Sequence, residues 1–224
     1  MRCQLSRGFT LIEVLVTLVI LTFGLLGIAG LMAKGQRIAF EAYQRQQAVT
    51  LASDMGELIR GNRLLAVACP AGPACTTYAM GAPITTPLGG GAHYNDYLTG
   101  AIRDCATLTC SVQELALYDI ALWDGLLNGY SEQQTGSGTR IGGIVNARGC
   151  IAELSNTSAI CPVAPAPATA VFSRTLRISV TWQGNDDTVA PSAAPDSSCG
   201  ISLYGAESKR RIITYDLLVS QPCP

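Results

Sequence analysis

Residues 5–24 read LSRGFTLIEVLVTLVILTFG. A short leader carrying Arg2 and Arg7 runs into a long apolar stretch, and one carboxylate, Glu13, stands at its start. From Val14 to Ala33, twenty residues carry no charge. As a helix, at about 1.5 Å per residue, they reach roughly 30 Å, the thickness of a bilayer's hydrocarbon core. An ionised carboxylate beside such a stretch costs several kcal/mol unless it is paired, so its position calls for a chemical reason.

Outside this stretch the composition narrows the choices. The chain has 224 residues, enough for one or two domains with a real core. A net charge of −1 gives no general pull toward nucleic acid. Of the nine cysteines, Cys3 precedes the apolar run, and Cys69, Cys75, Cys105, Cys110, Cys150, Cys161, Cys199 and Cys223 follow it. No two have C-x-x-C spacing and His93 is the one histidine, which argues against a zinc site. The eight later cysteines are therefore disulfide candidates, and the chain after residue 33 belongs in an oxidising compartment. Many connectivities are open. Proximity in sequence favours Cys69–Cys75, Cys105–Cys110, Cys150–Cys161 and Cys199–Cys223.

The N-terminus admits three readings. A removable secretory signal would use the two arginines and a cleavage site at Gly27-Ile28-Ala29, but the apolar run continues past that site and Glu13 is out of place in it. A plain single-span anchor fits the length. Its orientation is undecided by charge, since Arg2 and Arg7 face Lys34 and Arg37 across the span. The cysteines then place the C-terminal part outside the cytoplasm. The third reading takes RGFTLIEVLV as a unit. This segment resembles the prepilin signature of type IV pilins and the related pseudopilins of type II secretion. In that family a membrane peptidase cuts after a leader glycine, the new N-terminal residue is methylated, and an acid stands at the fifth mature position. The resemblance implies cleavage after Gly8, methylation of Phe9 and an assembly role for Glu13.

The implied cut supplies the chemical reason. It creates a cationic amine on Phe9, four residues before Glu13, and helical positions i and i+4 share a face. In a bundle of such helices Glu13 also pairs with a neighbour's amine, setting recruitment and axial register as a buried polar residue does in a coiled coil. Gly24, Gly27 and Gly30 follow at steps of three, each costing a helix interior about 1 kcal/mol relative to Ala. They mark either a section that melts or one that packs closely on another helix.

The helix is expected to continue past the span. Ile38, Ala42, Val49, Ala52, Met55 and Ile59 form an apolar stripe, and Gly61-Asn62 is a stop, so one helix covers Phe9 to Arg60, about 75 Å at the standard rise. Residues 62–108, with CPAGPAC and PLGGGAHYNDY, read as loop. Residues 111–128 read as a second helix, opened by a Ser111/Glu114 capping box, faced by Leu115, Tyr118, Leu122 and Leu126, and ended at Gly129. The segment CSVQELALYDIALW within it resembles the PilV-type minor pilins. Strands follow. GTRIGGIVNARGCIAEL is a strand or hairpin, and AELSNTSAICPVAPAPAT is a connector containing the sequon Asn156-Thr157-Ser158, read as chance. FSRTLRISVTWQG alternates with Leu176, Ile178, Val180 and Trp182 on one side, and RRIITYDLLVS is the last strand.

No catalytic constellation stands out. His93 lacks a partner, Asp186-Asp187 and Asp96/Asp104 lack the spacing for two-carboxylate chemistry, and Lys209-Arg210-Arg211 reads as a solvated strand entrance. The expectation is an α+β, type IV pilin-like lollipop. A leader at 1–8, a transmembrane and filament-core helix at 9–33, an amphipathic half at 34–61 and a disulfide-stapled periplasmic head at 62–224 make up the chain. The resemblance implies a non-enzymatic minor pilin without cofactor, single-pass in the inner membrane or carried to the cell surface. Its partners would be the prepilin peptidase, other minor and major pilins, the inner-membrane assembly platform and membrane lipid; no small-molecule substrate or nucleic acid is expected. Two rivals stand beside it: a type II secretion pseudopilin with the same signature, and a membrane-anchored periplasmic binding or adhesion protein with a chance match.

Overall fold

The structure, a computed structural model, describes residues 8–63, 78–80, 86–130, 135, 143–161, 169–192 and 198–220, with the side chains of 158–161 and 169–172 excepted. Cys3, Cys69, Cys75 and Cys223, the leader residues 1–7 and residues 138–142 of the strand or hairpin expected at 138–154 lie outside the described residues; of that expected element, residues 143–147 are turn and coil and the strand begins at Arg148. By internal contacts the chain forms two units, Met1–Ala42 and Tyr43–Pro224. Helix α1, Leu11–Gly61, supplies residues to both.

In the second unit α1 buries Gln44, Ala48, Ala52, Met55, Gly56 and Ile59. Steps of four and three keep these side chains on one stripe. The expected stripe is correct at Ala52, Met55 and Ile59 and wrong at Ile38, Ala42 and Val49, which are exposed, Ile38 at 60% and Val49 at 52%. Gln44 and Ala48 take the inward positions because the 3.6-residue period continued back from Met55 reaches them and misses Val49. The stop is where the sequence placed it: α1 ends at Gly61, and the Asn62 amide donates to the Leu58 carbonyl at 3.1 Å.

Three strands form one antiparallel sheet in the order β1-β2-β3, with β1 at Arg148–Cys161, β2 at Thr169–Gln183 and β3 at Arg210–Ser220. Leu176, Ile178, Val180 and Trp182 of β2 all turn to the core, as alternation requires. There they join Ala48, Ala52, Met55 and Ile59 of α1, Ile151 of β1 and Leu217 of β3 in one cluster. Two glycines permit close approach. A Cβ on Gly56 would stand 2.6 Å from Cε1 of Tyr215, and one on Gly149 would meet the Trp123 ring at 2.3 Å. β1 extends further than expected, because Ser155–Cys161 pair in register with Thr169–Thr175. Most of the expected connector is therefore strand, and only residues 162–168 of it fall outside the described residues. Pairing satisfies the backbone groups of this polar segment, which composition alone assigned to a loop.

Helix α2, Ala92–Leu98, arises within residues read as loop. Asp124 holds it in place. This carboxylate is buried, and its Oδ1 accepts from the Gly89 and Gly91 amides at 2.5 and 3.1 Å while Oδ2 accepts from the Tyr94 amide at 3.2 Å. The clamp gives a short helix the tertiary partner that its length demands. Helix α3, Val112–Leu127, carries the expected capping box: Glu114 N donates to Ser111 Oγ at 3.3 Å and Ser111 N to Glu114 Oε2 at 2.8 Å. Its inward face is Ala116, Ile120, Trp123 and Leu127, not Leu115, Tyr118, Leu122 and Leu126; Leu126 is 38% exposed. The true face includes a tryptophan whose Nε1 donates to the Leu51 carbonyl at 2.9 Å, so burial costs it no unmet hydrogen bond.

Two disulfides are described, Cys105–Cys110 and Cys150–Cys199. The first is the expected pair. The second replaces both Cys150–Cys161 and Cys199–Cys223. The reason is sheet parity and register: Cys150 lies across from Ser179, on the face away from Ile151, where the 184–209 connection is tied down. On that same face Tyr204 Oη lies 2.8 Å from Thr181 Oγ1 and donates to the Asn146 carbonyl at 3.1 Å.

Candidate functional site

The first unit holds the residues singled out at the N-terminus. Gly8, Phe9 and Thr10 precede the helix and are exposed, with Phe9 at 82%. The Gly8–Phe9 peptide bond thus lies in non-helical chain, open to an enzyme. Helix α1 begins at Leu11, and the Glu13 and Val14 amides donate to the Thr10 carbonyl at 3.1 and 3.3 Å. Glu13 stands in the first turn, where a carboxylate complements the unpaired amides and the helix dipole. In the uncut chain the Phe9 nitrogen is an amide. Hydrolysis of its bond to Gly8 would turn it into an ammonium four positions before Glu13, on chain just outside the helix, which starts at Leu11 and not at Phe9 as expected.

The segment after Glu13 is built for an apolar surround. Its 18-residue apolar window has a mean hydropathy of 2.6, and none of it is buried within the chain. Both hydroxyls in it are satisfied internally: Thr17 Oγ1 donates to the Val14 carbonyl and Thr22 Oγ1 to the Val19 carbonyl, each at 2.8 Å. Such back-bonding removes the penalty of an unmet donor in lipid. A Cβ added at Gly24, Gly27 or Gly30 would meet nothing within 4 Å. Nothing among the described residues therefore requires those glycines to be small.

The other sequence candidates are scaffold. His93 is exposed on α2. Asp104 closes a turn, accepting from the Ala106 amide and Thr107 Oγ1, each at 3.0 Å. Asp187 accepts from Ser208 Oγ at 2.7 Å. The basic run is no solvated entrance. Arg210 is 2% exposed, donates to Glu207 at 2.7 Å and to the Cys199 carbonyl at 2.8 Å, and Arg211 donates to Thr188 Oγ1 at 2.7 Å and to the Ser208 carbonyl at 3.0 Å. These arginines pin the 184–209 connection to β3. The Glu207 carboxyl is held below its usual range by the Ser202 amide first and by Arg210 second.

Sequence reading missed one buried polar cluster. Tyr78 donates to Asp119 Oδ2 at 2.6 Å, and Asn62 Nδ2 donates to Tyr78 Oη at 3.1 Å and to the Val112 carbonyl at 2.7 Å. The cluster joins the end of α1 to α3. Burial raises the Asp119 carboxyl above its usual range, with the Tyr78 hydroxyl opposing. The available signal was an acid on the apolar face of a helix, which is placed there only with a partner. Among the described residues no three His, Cys, Asp or Glu side chains come together to hold a metal.

Residues 3–29 match the family described as the prokaryotic N-terminal methylation motif. No curated protein and no solved structure matches the chain. The motif covers Gly8, Phe9, Glu13 and most of the apolar span, and it implies processing by a prepilin peptidase and assembly with other pilins. With the apolar N-terminal helix it fits a single-pass inner-membrane protein. The exposed Gly8–Phe9 bond, first-turn carboxylate, span-length helix and methylation motif together support a protein of the type IV pilin or pseudopilin kind.

Proposed function

We propose that this chain is a minor pilin of the type IV pilus, most like the PilV-type subunits, acting in the priming or tip complex. The observation that carries the reading is the methylation motif at residues 3–29, laid over an open Gly8–Phe9 junction with Glu13 one turn on. Cleavage after Gly8 releases the leader, Phe9 is methylated, and the head stands in the periplasm. Glu13 accepts the cationic amine of its own or a neighbouring Phe9 within the apolar bundle. There the low dielectric strengthens the pair, while an unpaired carboxylate is penalised. Subunits out of register leave that charge unmet, so the pair selects one axial offset. The exposed apolar surface from Val14 to Met32 supplies the packing, first against lipid and then against sister helices.

The test is Glu13→Ala in the native host. The reading expects a processed, membrane-held protein that no longer enters pili, with piliation reduced. Normal incorporation of the variant would end it. The same motif serves a type II secretion pseudopilin. Deletion of the chain separates the two readings, since loss of secretion with intact pili assigns the pseudopilin role.

A further inference from the structure

A cleft of about 370 Å³ opens in the second unit. Among the described residues it is lined by Gly89 and Gly90 before α2, Leu127 and Asn128 at the end of α3, and Gly143 to Arg148 leading into β1. Its volume stands near the lower end of small-ligand sites, room for one compact molecule. Its surface is more polar than apolar, because Leu127 and Ile144 are buried behind it and the walls are glycine backbone and asparagine amides.

Arg148 is the one charged residue among those described walls, and it is half-buried. Nη1 donates to the Gly89 carbonyl at 3.0 Å and to the Ala147 carbonyl at 2.8 Å. Those two bonds fix the plane of the guanidinium. Among the described residues, Nε and Nη2 have no hydrogen-bond acceptor, and no carboxylate lies within ion-pair distance. The nearby acid is already committed: the Asp124 oxygens accept from the amides of Gly89, Gly91 and Tyr94. A half-buried guanidinium with an oriented, unused edge is a receptor for a planar oxyanion, since a carboxylate takes two parallel N–H donors. Beside it the Asn128 side-chain amide likewise has no partner among the described residues, and amides bond hydroxyls both as donor and as acceptor. Val145, 44% exposed at the rim, offers a small apolar surface for C–H groups.

We propose that this cleft binds an acidic monosaccharide unit, its carboxylate on Arg148 and its hydroxyls on Asn128 and the glycine-rich walls. A charged sugar matches each lining group: one anion, several hydroxyls, one small apolar face. The inference rests on the head alone and stands whether or not the pilin reading holds.

The experiment is titration of the full-length protein in neutral detergent with glucuronate, with methyl glucoside and inorganic phosphate as comparison probes, followed by calorimetry and by perturbation of backbone amide resonances. Glucuronate is expected to bind, to shift the Gly90 and Gly143 amides, and to weaken as salt is raised. Methyl glucoside should bind at least about tenfold more weakly, the loss typical of one charge-assisted hydrogen-bond pair. Arg148→Lys keeps the charge and loses the fork, so affinity should fall while selectivity for the acid survives. Because Arg148 also holds two carbonyls, Gly90→Asp provides a variant that leaves it intact. A Cβ at Gly90 meets nothing within 4 Å, and the new carboxylate should occupy the guanidinium and abolish glucuronate binding, while Gly90→Asn should not. Equal binding of methyl glucoside and glucuronate overturns the proposal. So does phosphate binding without glucuronate binding, or a glucuronate response preserved in Gly90→Asp.

Discussion

Removing the Cys150–Cys199 disulfide tests the head's architecture quantitatively. This bond closes a loop with a sequence separation of 49, whereas Cys105–Cys110 closes one of 5. In the chain-entropy account a cross-link restricts the unfolded chain, and its stabilisation grows with the logarithm of loop length. For the long loop this gives about 4 kcal/mol at 25 °C, and for the short one about 2 kcal/mol. The difference, about 2 kcal/mol, is the firmer number because the constant cancels. Packing acts in the same direction. Cys150 and Cys199 are buried among Ala152, Met80 and Ile212, so truncation also opens a small void, while the short bridge sits nearer the surface. The assay is urea unfolding of the full chain in detergent, non-reducing, followed by tryptophan fluorescence. Both tryptophans, Trp123 and Trp182, are buried in the core and report its loss. Cys150→Ala with Cys199→Ala should lose roughly 4 kcal/mol, and Cys105→Ala with Cys110→Ala about half that. Equal losses for the two double variants, or a larger one for the short loop, would refute the reasoning.

Three further outcomes follow from the same geometry. Gly56→Ala places a methyl against the Tyr215 ring and should cost about 1–3 kcal/mol by urea unfolding; Tyr215→Leu in the same chain should recover part of it. Asp124→Ala leaves the Gly89, Gly91 and Tyr94 amides without their acceptor, and hydrogen exchange at residues 89–98 should accelerate well before the sheet opens. Asp119 imposes a pH dependence of its own sign. Its folded pKa is raised, so on going up in pH the unfolded chain loses the proton first, and stability falls across the window from the unfolded value of about 4 up to the folded one. Asp119→Asn, which still accepts from Tyr78, should therefore gain on the parent at neutral pH and lose that advantage as pH drops below about 4. A parent that gains on the variant with rising pH contradicts the assignment.

What could be read in advance followed from local signals. The α1 span, the α3 capping box, the stop at Gly61 and the β2 alternation each depend on residues within one or two turns or pleats of each other. What could not be read depended on contacts distant in sequence. Ser155–Cys161 became strand only because β2 runs alongside, and α2 formed only because Asp124 reaches across from α3. The face of α3 turned by one position to bury Trp123 against α1, and Leu115 or Leu122 would have served a period count as well. Cys150 passed over its near neighbour for Cys199, since strand parity and not sequence distance decides which cysteines meet. The N-terminal site shows the opposite case. Among the described residues, Gly8, Phe9 and Glu13 are exposed, so their pattern could be read as a motif without the fold.

The central claim is that Gly8–Phe9 is a processing junction and Glu13 the partner of the amine it releases. Intact mass of the protein taken from its native membrane, before and after reduction, tests this most directly. The account predicts a chain beginning at Phe9 and carrying one added methyl group, with the non-reduced value counting the disulfides among the eight later cysteines. A mass that retains residues 1–8, or one that begins after Ala29, would contradict it and leave Glu13 without the charge it is placed to meet.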